Sequence, residues 1–210
     1  LDAAALHTSV DHMTGKLPSL GRFVSDDEPR GTALDAERFH TFAAGLHASS
    51  TWIRAFQIVS DGTITHVYPR QGNESALGYN LLKDPRPVIR ADVIRALQTG
   101  RVTMTGPVDL LQGGLGIIIR QPLLRTGSQP RRLVAIVLNI GPLFADAGIG
   151  ADATNGIHLA VRSAPGSVFF GSPEVFEHQP VTRRLTMPGA AWEMGAYPVG
   201  GWTASTNGSV

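Results

Sequence analysis

The sequence predicts a mixed α+β protein: a helical N-terminal segment followed by two units built on antiparallel sheets. Three observations lead there. Residues 1–50 carry apolar side chains at helical spacing. At Trp52 the pattern changes to a hairpin, one helix and three more strands. From residue 147 onward, short apolar runs are separated by Pro-Gly pairs, the pattern of a smaller strand-dominated unit. The expected organisation is therefore 1–50 as a helical stalk, 51–146 as one unit and 147–210 as a second.

Each element follows from local chemistry. Leu6, Val10 and Met13 form an apolar stripe on an Ala-rich first helix, and Gly15, Pro18 and Gly21 are expected to interrupt it. Residues 25–31 are expected to form a loop. Asp35 then caps a helix whose stripe is Phe39, Phe42, Ala43 and Leu46. Ile53 to Val59 reads as a half-buried strand, Asp61-Gly62 as its hairpin turn, and Ile64 to Tyr68 as the return strand, ended by Pro69. Pro85 and Pro87 open a helix with Val88, Ile89, Val93, Ile94 and Leu97 on its apolar side, and Gly100 closes it. Three strands follow: Arg101–Thr105, broken by Gly106-Pro107; Leu115–Gln121; and, after a turn at Gly127–Pro130, Leu133–Ile140. The last is almost wholly apolar and hence central. The expected unit has about five antiparallel strands with helices on one side. In the second unit, Ile157–Arg162, Val168–Phe170, Val181–Met187 and Ala191–Tyr197 are strands, and Pro173–His178 is a short helix or turn.

Composition excludes several classes of function. The 210 residues contain no Cys, so disulfide scaffolds, thiolate metal sites and cysteine nucleophiles are ruled out. Eighteen basic against 17 acidic residues give +1, too even for a nucleic-acid surface. No run of apolar residues is long enough to cross a membrane as a helix. The chain starts at Leu1, as expected of an excised or processed segment. Gly113-Gly114-Leu115-Gly116 precedes a strand and lacks the Lys-Ser/Thr of a phosphate loop, so it reads as turn and bulge. His7, His12, His40, His47, His66, His158 and His178 show no tight ligand spacing, and no cofactor or metal is expected. No nucleophile-and-base set is visible, so catalysis is not expected, and a small hydrolase is the weakest reading.

One stretch is more specific. His66-Val67-Tyr68-Pro69, Gly72-Asn73-Glu74 and Ala76–Leu82 are followed by a helix. Then come Thr105-Gly106-Pro107-Val108-Asp109-Leu110-Leu111-Gln112-Gly113-Gly114-Leu115-Gly116 and Arg120-Gln121-Pro122-Leu123. In order and spacing, with Phe39-Thr41-Phe42 before them and Pro188–Trp192 and Gly201-Trp202 behind, these resemble the CHASE domain. That is the extracytoplasmic sensory module of histidine kinases and cyclic-di-nucleotide enzymes. The resemblance implies a helix leading out of a membrane, then two PAS-like domains. The distal one binds a small ligand, and the proximal one returns the chain to a second transmembrane helix. Among the family's plant cytokinin receptors, the threonine before the break matches Thr105, and the leucine pair that meets the ligand matches Leu110 and Leu111. Their ligand-facing threonine is Arg120 here, and their pocket aspartate has no firm counterpart. A ligand other than a cytokinin is therefore expected.

Candidate ligand-binding residues are His66, Tyr68, Thr105, Asp109, Leu110, Leu111, Gln112 and Arg120. Arg120 follows three isoleucines, so its guanidinium either meets an anionic ligand, pairs with Asp109 or Asp92, or leaves the sheet for solvent. His66 and Tyr68 alternate and so share one face, either pocket or half-exposed sheet. Asp109 and Gln112 flank Leu110-Leu111 in a loop beside the sheet, as ligand contacts or solvated residues. The expected function is small-ligand sensing in the periplasmic part of an inner-membrane signalling protein, a histidine kinase or a cyclic-di-nucleotide cyclase or phosphodiesterase. The alternative is a periplasmic protein-interaction module with no small-molecule pocket. A homodimer seam is expected along Leu6, Val10 and Met13.

Overall fold

Six consecutive buried residues, Leu133 to Leu138, place one strand in the middle of a five-stranded antiparallel sheet. In the computed structural model, residues 3–27, 34–124, 131–150, 156–163 and 166–202 are described. The strands are β1 (Ile53–Ser60), β2 (Thr63–Tyr68), β3 (Thr103–Asp109), β4 (Leu115–Pro122) and β5 (Arg132–Asn139), in the order β2-β1-β5-β4-β3. The chain divides into two compact units, residues 10–143 and residues 1–9 with 144–210.

β1 is buried along nearly its whole length instead of on one face, because it lies between β2 and β5 and both sides of the sheet are covered. Helices accordingly lie on both faces, not on one. An apolar strand such as β5 has two faces to remove from water. Asp61 (φ 45°) and Gly62 (φ 85°) make the hairpin turn. β3 continues through Gly106-Pro107 to Asp109. A bulge between Thr105 and Val108 absorbs the proline, which has no N–H for the ladder.

The N-terminal part holds three helices: α1 (Ala3–Thr14), α2 (Leu17–Asp27) and α3 (Ala36–His47). α2 forms where breaks were expected. Pro18 sits in its first turn, where no backbone donor is required. Gly21 lies against the sheet, and a Cβ there would be 2.9 Å from Leu123. Leu17, Leu20 and Val24 supply its buried stripe. Of the expected loop, Ser25–Asp27 is helical and 28–31 lies outside the described residues. Leu6, Val10 and Met13 are buried within the monomer, so they are not available as a seam between copies. Asp35 caps α3 by accepting from the Glu37 N–H at 2.8 Å, and Phe42 stacks on Phe23 of α2.

α4 (Pro87–Thr99) covers the other face of the sheet, with Pro at its start and Gly100 in the left-handed conformation at its end. Its buried stripe is Ile89, Asp92, Val93 and Ala96, whereas Val88 and Ile94 face solvent. The Gly127–Pro130 turn lies outside the described residues. β5 leads into α5 (Ile140–Asp146).

The second unit is a four-stranded sheet in the order β7-β6-β9-β8: β6 (Ile157–Ser163), β7 (Val168–Phe170), β8 (Val181–Met187) and β9 (Ala190–Pro198). A 3-10 turn at Pro173–Glu177 crosses it. Its core is aromatic: Phe144 stacks on Phe170 at 4.4 Å, and Trp192 meets Phe169 at 5.1 Å.

Candidate ligand pocket

Strand register builds a row of side chains across the α4-facing side of the first sheet. Val67 pairs with Gln57, Gln57 with Ala135, Ala135 with Arg120, and Arg120 with Thr103. Residues opposite one another in neighbouring strands share a face. Two long polar side chains, Gln57 and Arg120, therefore flank the single methyl of Ala135. Both line a cavity of about 20 Å³, room for about one water, roofed by Leu81, Arg86 and Ile89 and edged by Asp109, Leu110, Leu111 and Gln112.

Arg120 is 1% exposed. Its Nη1 donates to the Thr105 hydroxyl, and its Nε has no hydrogen-bond partner among the described residues. Neither carboxylate suggested by sequence neutralises it. Asp92 pairs with Arg95 at 2.7 Å, Asp109 is exposed, and among the described residues Arg120 makes no ion pair. Burial pushes the guanidinium down to about 10, although the negative charges of Asp92 and Asp84 act in the opposite sense. The neighbouring Thr103 hydroxyl is also buried without a partner. The side-chain amide of Gln57, itself 5% exposed, makes no hydrogen bond among the described residues. Unsatisfied polar groups are rare in protein interiors, and here two of them, Arg120 Nε and the Thr103 hydroxyl, lie in one row beside Gln57.

The β3–β4 loop is held over this row by its own carbonyls. Arg86 donates to the Asp109 carbonyl, Ser75 to that of Leu111 at 3.2 Å, and Arg54 to that of Gln112 at 2.9 Å. Arg54 also holds the Gly72 carbonyl and the Asn73 side chain. Arg86 is fixed by the fully buried Asp84, Nε to Oδ1 at 2.8 Å and Nη2 to Oδ2 at 2.6 Å. Those hydrogen bonds hold the Asp84 carboxyl at about 2, against 3.8 in a free chain. The pair therefore adds about 2 kcal/mol that is fully present above about pH 4 and is lost as pH falls toward 2. Melting temperature followed from pH 6 to pH 2 should drop steeply in the wild type. It should drop with a visibly smaller slope in Asp84→Asn, and equal slopes would remove Asp84 from this role.

Of the eight residues singled out by sequence, Asp109, Leu110, Leu111, Gln112 and Arg120 line the cavity, and Thr105 holds Arg120. His66 and Tyr68 do share a face, but it is the opposite one, packed on α3. His66 meets Phe39 and places Nε2 3.2 Å from the Leu34 carbonyl, while Tyr68 lies between His40 and His47. Burial lowers the pKa of His66. Gln57, Arg86, Asp84 and Arg54 escaped the sequence reading. No local motif marks them, and only strand register brings Gln57 beside Arg120. Among the described residues no cluster of His, Asp and Glu is placed to hold a metal ion.

Comparison with solved structures finds the same architecture in bacterial sensors. An extracellular ligand-binding receptor from Desulfohalobium retbaense superposes with a TM-score of 0.72 at 13% identity, over 93% of this chain but 38% of that one. This chain thus spans well under half of that receptor. The ligand-binding domain of the Pseudomonas aeruginosa amino acid chemoreceptor PctB, in complex with L-Arg, gives 0.66 at 15% identity, over 100% of this chain and 94% of the other. The extracellular domain of the putative histidine kinase rpHK1S-Z16 gives 0.63 at 12% identity, over 94% and 91%. At these identities the likeness is one of fold. No curated protein sequence matches. The sequence profile of the CHASE domain, however, matches residues 60–167, just over half of the 210 and inclusive of the β3–β4 loop and Arg120. The motifs, the two-sheet architecture and this match agree, and the chain belongs to the CHASE family of sensor domains.

Proposed function

We propose that this chain is the extracytoplasmic small-ligand sensor of a membrane-bound signal-transduction protein, and that its ligand is anionic. The observation that carries the reading is Arg120: a fully buried guanidinium, facing a cavity, with one hydroxyl partner and no counter-ion among the described residues. A buried charge left in that state is costly unless an anion completes it. On this reading 51–146 is the membrane-distal, ligand-binding part and 147–210 the membrane-proximal part. Transmembrane helices flank the segment in its parent, a histidine kinase or a cyclic-di-nucleotide cyclase or phosphodiesterase of the inner membrane. Binding reseats the β3–β4 loop and its clasp, and the ligand shifts that equilibrium by its differential affinity for the two arrangements. A homodimer of the parent remains part of the proposal, through a surface other than the Leu6–Met13 stripe.

The cavity volume of about 20 Å³ favours a second reading, a periplasmic protein-interaction module with no small-molecule pocket. A thermal-shift screen of the purified chain against organic acids, amino acids, nucleobases and purines separates the two. A ligand at a hundred times its dissociation constant adds about 2.7 kcal/mol, a rise of roughly 5–10 °C. The sensor reading expects such a rise, lost in Arg120→Met with the fold intact by circular dichroism. A flat screen moves the protein to the interaction-module reading.

A further inference from the structure

The pocket constrains its ligand beyond the sign of the charge, and the inference rests on the sensor reading above. We propose that the ligand is a short aliphatic carboxylate without an ammonium group: a hydroxy acid, an oxo acid or a simple short-chain acid.

The first argument is the distribution of acceptors. An ammonium brings three protons that need acceptors once it leaves water. Around this pocket the carboxylates and loop carbonyls already carry hydrogen bonds, and the buried carboxylates already face a guanidinium. Both oxygens of Asp84 are held by Arg86. The carbonyls of Asp109, Leu111 and Gln112 accept from Arg86, Ser75 and Arg54. Asp92 is paired with Arg95. The Asp109 carboxylate lies at the exposed rim. What remains is the Gln57 amide, the neighbouring Thr103 hydroxyl and a cation, Arg120, which would repel an ammonium placed beside it. An α-amino acid therefore meets a counter-charge for its carboxylate and, among the described residues lining the interior, none for its ammonium.

The second argument is shape. Gln57 and Arg120 stand two inter-strand spacings apart, roughly 10 Å between backbones, and both reach into the space above Ala135. A ligand bridging the two is short. Its carboxylate meets the Arg120 guanidinium, and a hydroxyl or oxo group meets the Gln57 amide, which can donate or accept. The apolar surround is aliphatic, built from Ile64, Leu81, Ile89, Ile118 and Val137, with no aromatic ring for stacking a base or a planar heterocycle. The cavity of about 20 Å³ has room for about one water, so any ligand enters only as the clasped loop moves, and a short acid requires the smallest movement.

Matched pairs differing only in hydroxyl for ammonium test this by calorimetry on the purified chain: lactate against alanine, 2-hydroxybutyrate against 2-aminobutyrate, and 2-hydroxyisocaproate against leucine. Pyruvate and propionate are added as an oxo and a simple acid, and lactamide as the uncharged control. At least one acid should bind, with its amino-acid mate weaker by about tenfold or more and lactamide silent. Arg120→Met should abolish binding. Gln57→Leu should weaken the hydroxy or oxo acid and leave propionate unchanged. Equal or tighter Arg120-dependent binding of an amino acid, or binding in the screen only by phosphates or purines, overturns the ligand class and leaves the sensor reading standing. Acid binding that survives Arg120→Met overturns the assigned site. No binding by these compounds or by the wider screen overturns both.

Discussion

Arg120→Met is expected to stabilise the folded protein by roughly 1–3 kcal/mol while removing its response to ligand. Burial pushes the guanidinium down to about 10, so this site disfavours the charge that Arg120 carries. Met has a similar reach, carries no charge, and meets the aliphatic side chains of Ile118 and Val137 across the pocket. Against this gain stands the lost hydrogen bond to Thr105, worth about 1 kcal/mol, because that hydroxyl then stays buried without its donor. The sign of the balance is what matters. A residue kept for binding is retained at a cost to stability, whereas a structural ion pair would destabilise on removal of either member. Urea unfolding of the two proteins at neutral pH measures the difference. A loss of 2 kcal/mol or more in the variant would mean that Arg120 supports the fold and is not an anion site.

Trp192→Ala carries the largest stability effect expected in the second unit, a loss of about 3–5 kcal/mol. Trp192 is 1% exposed and lies on β9 between Leu185 of β8 and Ser163 of β6, with Phe144 and Phe169 against its ring. Truncation leaves a void among side chains already fixed by two strand ladders, and these have little room to close on it. The indole N–H is buried without a partner, so Trp192→Phe gives up apolar area but also an unsatisfied donor. It should lose well under half of what Ala loses. Hydrogen exchange resolves where the loss falls: the amides of β6, β8 and β9 should lose protection in Trp192→Ala. Protection unchanged in these strands would show that the aromatic cluster is not what holds this sheet.

Much of this architecture was legible because its causes are local. Asp61-Gly62 can hardly do anything but turn, Pro87 and Gly100 bracket a helix, and Pro188-Gly189 closes the last hairpin. The unbroken apolar run at 133–138 demanded a central strand. Arg120 stood out because a charge directly after three isoleucines has few places to go. Even the family was visible in the ordered motifs from His66 to Leu123.

The rest was decided by which segments came to lie against one another. Pro18 and Gly21 look like helix breaks in isolation. Only the first-turn position of one and the contact of the other with Leu123 make them compatible with α2. Leu6, Val10 and Met13 form an apolar stripe whose partner no local pattern names, and the fold buries them within the monomer. Alternation along β2 states that His66 and Tyr68 share a side, but α3 happened to cover that side and α4 the other. Gln57 lies far from Arg120 in sequence and becomes its neighbour only through the register of β1, β5 and β4. Periodicity is a property of one strand, whereas a binding site is a property of strands placed side by side. The sequence by itself therefore determined the elements, the family and the one conspicuous charge. Tertiary packing alone decided which face carries the cavity, what shares it with Arg120 and which hydrogen bonds close it.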